Sequence, residues 1–137
     1  MPHDPARIED TRAWLRKAAL DLDSARILCE HKPAHLGNAL FHCQQAAEKT
    51  LKAFLAWHDE PFRKTHNLEE LGRQVVALDP ACRAFADRAA TMTDYAWQFR
   101  YPGEPEEPSR EEAEEALALA REVYDTILAR LPEEVQP

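Results

Sequence analysis

Phe41-His42-Cys43-Gln44-Gln45-Ala46-Ala47-Glu48-Lys49-Thr50-Leu51-Lys52-Ala53-Phe54-Leu55 reads as a helix with apolar residues on two faces. Leu40, Ala47, Leu51 and Phe54 form one seam; Ala39, Ala46, Ala53 and Trp57 form another. Only a narrow strip of Gln45, Glu48, Lys49 and Lys52 is polar. A helix apolar over so much of its circumference must be packed by several neighbours. It is therefore the expected centre of the fold.

The neighbours can be read outward from it. A first helix, from about Ile8 to Glu30, carries Trp14, Leu15, Ala18, Leu22 and Ala25 at three-four spacing, and Pro33 stops it. The central helix runs from about His35 to His58. A third, about Leu68 to Leu78, opens on Asn67 as N-cap with Glu70 at its third position. A fourth is expected over about Pro80 to Trp97. Residues 103–108 form a Pro/Glu-rich linker that its prolines keep out of a helix. A fifth helix opens at Ser109 with Glu112 three residues on, a capping box. The tail at 132–137 is expected to fray. The fold class is thus all-α: a single domain over 1–137, an antiparallel up-and-down bundle of about five helices.

Composition agrees and sets limits. Only three glycines occur in 137 residues, and no run of 18 apolar residues exists to span a membrane. The N-terminus is not a signal peptide. Cys29, Cys43 and Cys82 lack metal-type spacing and read as buried thiols of a reducing cytoplasm. The net charge of −8 is unevenly spread: residues 1–102 hold 14 acidic and 14 basic side chains, residues 103–137 hold 11 and 3. A coat of positive charge is excluded, but a local basic site before residue 103 is not.

Three segments taken in order resemble the HEPN family, the helical domain named for nucleotide binding in higher eukaryotes and prokaryotes. They are the central helix, then Thr65-His66-Asn67-Leu68-Glu69-Glu70-Leu71, then Arg100-Tyr101-Pro102-Gly103. The resemblance covers roughly residues 8–131. It implies a homodimer, a nucleotide- or RNA-associated role, and a nucleotidyltransferase-type partner in a toxin–antitoxin-like pair. Ribonucleases of the family carry an Arg followed, after four to six residues, by a His near the start of the last helix pair. Here no histidine follows His66. Arg26 to His31 has the spacing, but at the end of the first helix, the wrong place. No catalytic residue, cofactor or metal site is therefore assigned, and an enzyme is the less favoured reading.

The candidate anion or nucleotide site is Arg63, Lys64 and His66, just before the third helix, joined by Arg100. A helix N-terminus offers free N–H groups and a positive partial charge, and these side chains add cations. In an up-and-down bundle the second and fourth helices run the same way, which would bring Arg63 and Arg100 to one end. Gln45, Lys49, Lys52 and Tyr101 are secondary candidates. The bland alternative for the strip is a solvated face with a Glu48–Lys52 pair. Trp97, Phe99 and Tyr101 could stack on a base, though packing of the bundle end or of a subunit interface is favoured. His42 reads as a satisfied structural histidine. Three functions stay open: a binding module, a ribonuclease with a non-standard site, and a structural dimerisation module.

Overall fold

The computed structural model describes residues 3–103 and 106–137; Glu104 and Pro105 of the expected linker, and Met1 and Pro2, lie outside the described residues. Helix α1 spans Pro5–Glu30, α2 Leu36–Trp57, α3 Leu68–Leu78, α4 Arg83–Ala90 and α5 Arg110–Leu128. Among the described residues there is no strand.

Local sequence explains most ends. Asp4 accepts from the Ala6 N–H, with Pro5 at the first helical position of α1. Asn67 accepts from the N–H groups of Glu69 and Glu70, and Ser109 from that of Glu112. The N-terminus of α2 is different. His35 makes no side-chain cap there, and the Gly37 N–H donates instead to Glu107 Oε2 at 3.0 Å. A β-carbon at Gly37 would lie 2.9 Å from that oxygen and 2.9 Å from the Phe99 Cβ. Glycine is thus what lets the segment before α5 close on α2.

Helix α2 is the centre, packed by α1, α3, α5 and the turn at 93–96. Fourteen of its 22 residues are buried, so it has no wide solvent face. Leu40, Leu51, Phe54 and Leu55 meet Leu15 and Leu22 of α1, and Val123 and Ile127 of α5, in one core. Each such side chain withdrawn from water contributes about 1.5–3 kcal/mol.

Two expectations need correction. The fourth helix is not long. Pro80–Cys82 and Thr93–Ala96 are single 3₁₀ turns on either side of the eight-residue α4. The Asp79 carboxylate caps the first turn at Ala81, and the chain leaves the α-helix again at Thr91. The tail is not frayed either. Glu133–Val135 forms a 3₁₀ turn against α1, with Leu131 and Val135 buried and Arg12 donating to the Glu134 carbonyl. An apolar anchor two residues from the end outweighs the fraying that position alone suggests.

Candidate functional site

Helix α2 aims its polar strip between its neighbours, and two buried carboxylates organise it. The first is Glu48. Its Oε2 accepts from Lys52 Nζ at 3.0 Å; its Oε1 lies 2.7 Å from His66 Nδ1 and accepts from Gln44 Nε2 at 3.2 Å. Gln44 also donates to the His66 carbonyl at 2.9 Å and accepts from Gln45 at 2.7 Å. Lys52 is capped further by the faces of Trp14 and Phe62, 5.5 and 5.7 Å from its ammonium. The second carboxylate is Asp21 of α1, also buried. It holds Lys49 Nζ at 2.6 Å and His42 Nδ1 at 2.8 Å.

The strip is therefore not a solvated face. Glu48 and Lys52 are buried, and Lys49 is spent on Asp21. The structure supports the reading of His42 as a satisfied structural histidine. Sequence reasoning missed Asp21 and Gln44. Asp21 was visible as a charge among the core positions Ala18, Leu22 and Ala25, a sign that a partner must face it.

His66 is the outward member of the Glu48 network. Its side chain is 68% exposed while that of Glu48 is 5% exposed. A carboxylate oxygen only accepts, so Nδ1 carries the proton and donates. Nε2 has no hydrogen-bond partner among the described residues. The segment 58–66 makes this possible by folding back along α2. Phe62 packs on Trp14, and His66 arrives beside Gln44 and Glu48, in the middle of α2.

Arg100 lies elsewhere than expected. Its guanidinium covers the Phe41 ring at 4.0 Å, with the Tyr101 ring at 6.0 Å, and NH1 donates to the Ala96 carbonyl. Phe41 is in the first third of α2, about 24 Å from Trp57 along the axis at 1.5 Å per residue. Arg63 and Arg100 share no contact partner: Arg100 sits on Phe41 of α2, and Arg63 on Glu70 of α3. Arg63 is turned to Glu70, with contacts of 2.8 and 3.0 Å, on the side of α3. That hydrogen bond, and then the carboxylate's charge, raise the guanidinium's pKa. Lys64 is exposed and has no carboxylate within 4.0 Å among the described residues. Nor are the first N–H groups of α3 open to an anion. Asn67 takes those of Glu69 and Glu70, and Thr93 Oγ1 takes that of Leu68 at 3.1 Å.

His66 and Arg100 each contact one stripe of α2. Phe41, Gln45, Glu48 and Lys52 recur at i, i+4, i+7 and i+11, one stripe of α2. Arg100 covers its first member and His66 binds its third, about 10 Å apart along the axis. Among the described residues Arg100 has no carboxylate within 4.0 Å.

The chain matches a model of the HEPN domain over residues 11–131. The chain belongs to the HEPN domain family. Comparison with curated proteins and with solved structures gave no match. Among the described residues no helix is long and apolar enough to cross a membrane, and no three His, Cys, Asp or Glu side chains gather into a metal-holding group.

Proposed function

We propose that this HEPN domain is a nucleotide- or RNA-associated binding module. Its phosphate contacts are His66 and Arg100 on the α2 stripe, with Lys64 beside them. It acts as a homodimer with a nucleotidyltransferase-type partner in a toxin–antitoxin-like pair. The observation that carries the binding site is the exposed His66 ring, locked through Nδ1 on the buried Glu48 and sharing a helix stripe with Arg100. Family membership supports the nucleotide association and motivates the partner and the dimer. Arg63 is a weaker contributor, since an anion must first break its exposed pair with Glu70.

Binding of a nucleotide or a short RNA at low salt tests the site. Arg100→Ala and His66→Ala should each weaken it, and raised salt should weaken it further. Equal binding by both variants and the wild type would dispose of the site. Co-purification with a nucleotidyltransferase tests the partner, and sedimentation tests the dimer.

One observation favours a second reading. A histidine held by a carboxylate, with its other nitrogen facing solvent, is equipped to transfer a proton. That would make the domain a ribonuclease with a non-standard site. The missing Arg-to-His motif weighs against it, and the purified protein is expected to show no strong metal-independent cleavage of single-stranded RNA.

A further inference from the structure

The turn between α1 and α2 pairs two histidines. His31 and His35 are four residues apart, but Pro33 between them rules out a shared helix. Their rings meet nonetheless, with centroids 5.0 Å apart and planes tilted by 54°, so they are not stacked. The backbone fixes both positions. The His31 N–H donates to the Ile27 carbonyl and the His35 N–H to that of Leu28, each at 2.9 Å. Both residues are thus tethered to the last turn of α1, and both are exposed.

The ring nitrogens suit a shared ligand. His31 Nδ1 lies 2.8 Å from the Pro33 carbonyl oxygen. A carbonyl only accepts, so Nδ1 carries the proton and Nε2 keeps its lone pair. Histidines that bind metals are held in this way: the other ring nitrogen donates to a backbone oxygen, which fixes the tautomer. His35 makes no side-chain cap at the start of α2, and its ring has no hydrogen-bond partner among the described residues. With metal–nitrogen bonds of about 2.0–2.1 Å, two imidazoles on one ion have centroids roughly 4.5–5.5 Å apart. The observed separation falls in that window. Charge around the pair does not oppose a cation. His31 follows the negative end of α1 and His35 precedes the positive end of α2, so the two helix dipoles offset one another. Glu107 shares a cavity of about 170 Å³ with His35 and adds a negative charge.

We infer that His31 and His35 form a two-histidine chelate for a divalent transition metal of the zinc and copper kind. Imidazole selects zinc, copper and nickel, whereas magnesium and calcium take oxygen ligands. No third His, Cys, Asp or Glu joins the pair among the described residues, so the remaining positions go to water or an outside donor. A closed structural zinc site takes four protein ligands; two make an open site whose metal exchanges. The chelate is separate from the phosphate site proposed above and does not rest on it. His35 and Glu48 are about 20 Å apart along α2 at 1.5 Å per residue.

The test uses the full chain, free of a histidine tag and stripped with a chelator. Zinc chloride is titrated by calorimetry, and copper(II) sulfate is followed by electron paramagnetic resonance. The wild type should bind zinc, and should not bind magnesium under the same conditions. His31→Gln and His35→Gln sit at exposed positions, and circular dichroism checks their folding. Each should weaken zinc binding by about tenfold or more. His3→Gln, which removes an exposed histidine outside the pair, should leave it unchanged. The nitrogen splitting of the copper signal should report two imidazoles in the wild type and one in either pair variant. Unchanged zinc affinity in both pair variants, or a copper signal with fewer than two imidazoles in the wild type, would overturn the inference. A wild-type zinc affinity no tighter than about 1 mM would overturn it as well. So would an equal loss in His3→Gln, which would mark the binding as that of scattered surface histidines.

Discussion

Replacing Glu48 with leucine strands the Lys52 ammonium, and the structure says how heavily. The Lys52 side chain is 8% exposed, and its one carboxylate among the described residues is Glu48 at 3.0 Å. What remains near the charge is the faces of Trp14 and Phe62. Removing one member of a buried pair costs about 3–5 kcal/mol, because the other is left uncompensated away from water. Leucine has a similar volume, and Gln44 keeps its bond to the His66 carbonyl, so little of the loss comes from a cavity or a stranded amide. Against a total stability of about 5–15 kcal/mol, the loss is a large fraction. Urea unfolding followed by far-UV circular dichroism should show the midpoint falling by at least about 1 M, at about 1–3 kcal/mol per molar for the slope. Adding Lys52→Met to the same chain removes the stranded charge and should recover about 1–3 kcal/mol, a non-additivity the double-mutant cycle reads directly. A Glu48→Leu loss below about 1 kcal/mol, or strictly additive variants, would refute the reasoning.

Burial pushes the Cys43 thiol up to about 12 and the Cys82 thiol to about 11, so neither should react with a thiol reagent at pH 8 until the protein is unfolded; rapid labelling of either residue in the native protein would contradict this. His58 lies against the Phe54 ring, and burial, followed by the charge of Arg7, holds its imidazole below the usual range. The unfolded chain then binds the proton more readily. The contribution of His58 is complete above the ordinary histidine value of about 6.5 and is lost as the pH falls through the folded value. Stability should accordingly drop less between pH 7 and pH 5 in His58→Leu than in the wild type, and equal slopes would sink the assignment. Val135→Asp should destabilise the fold by about 1.5–3 kcal/mol or more by unseating the buried tail from α1, measured by the same urea titration; an unchanged midpoint would return the tail to the frayed state its sequence suggested.

The helices were legible wherever period and punctuation agreed. Leu68 and Leu78 bound α3 as expected, because Asn67 and Pro80 mark its ends in chemistry that acts within a few residues. The fourth segment misled because Phe85, Met92 and Tyr95 are apolar at near-helical spacing, while what breaks the helix at Thr91 is tertiary: Thr93 and Tyr95 are drawn to Leu68 and Glu112. His66 and Arg100 were legible as candidates by type and setting. Their contacts with one stripe of α2 were not, since these depend on how far the 58–66 segment folds back and on where the kink at Phe99, with its φ of 67°, points. Nor could the strip reveal that Glu48 and Lys52 are buried. A pair at i and i+4 looks the same in sequence whether it faces water or Trp14.

The returning segment after α2 sets a length. It is tied to the last turn of α2 by the Glu60 N–H on the Leu55 carbonyl, to α3 by Gln74 on the Pro61 carbonyl, and to mid-α2 by Gln44 on the His66 carbonyl. Between these fixed points it acts as a ruler whose last mark is the imidazole. One residue added or removed between Phe62 and Thr65 would leave both flanking helices able to form, yet carry His66 off Glu48. The spacing from Trp57 to His66 is thus as much a part of the site as the side chains at its end.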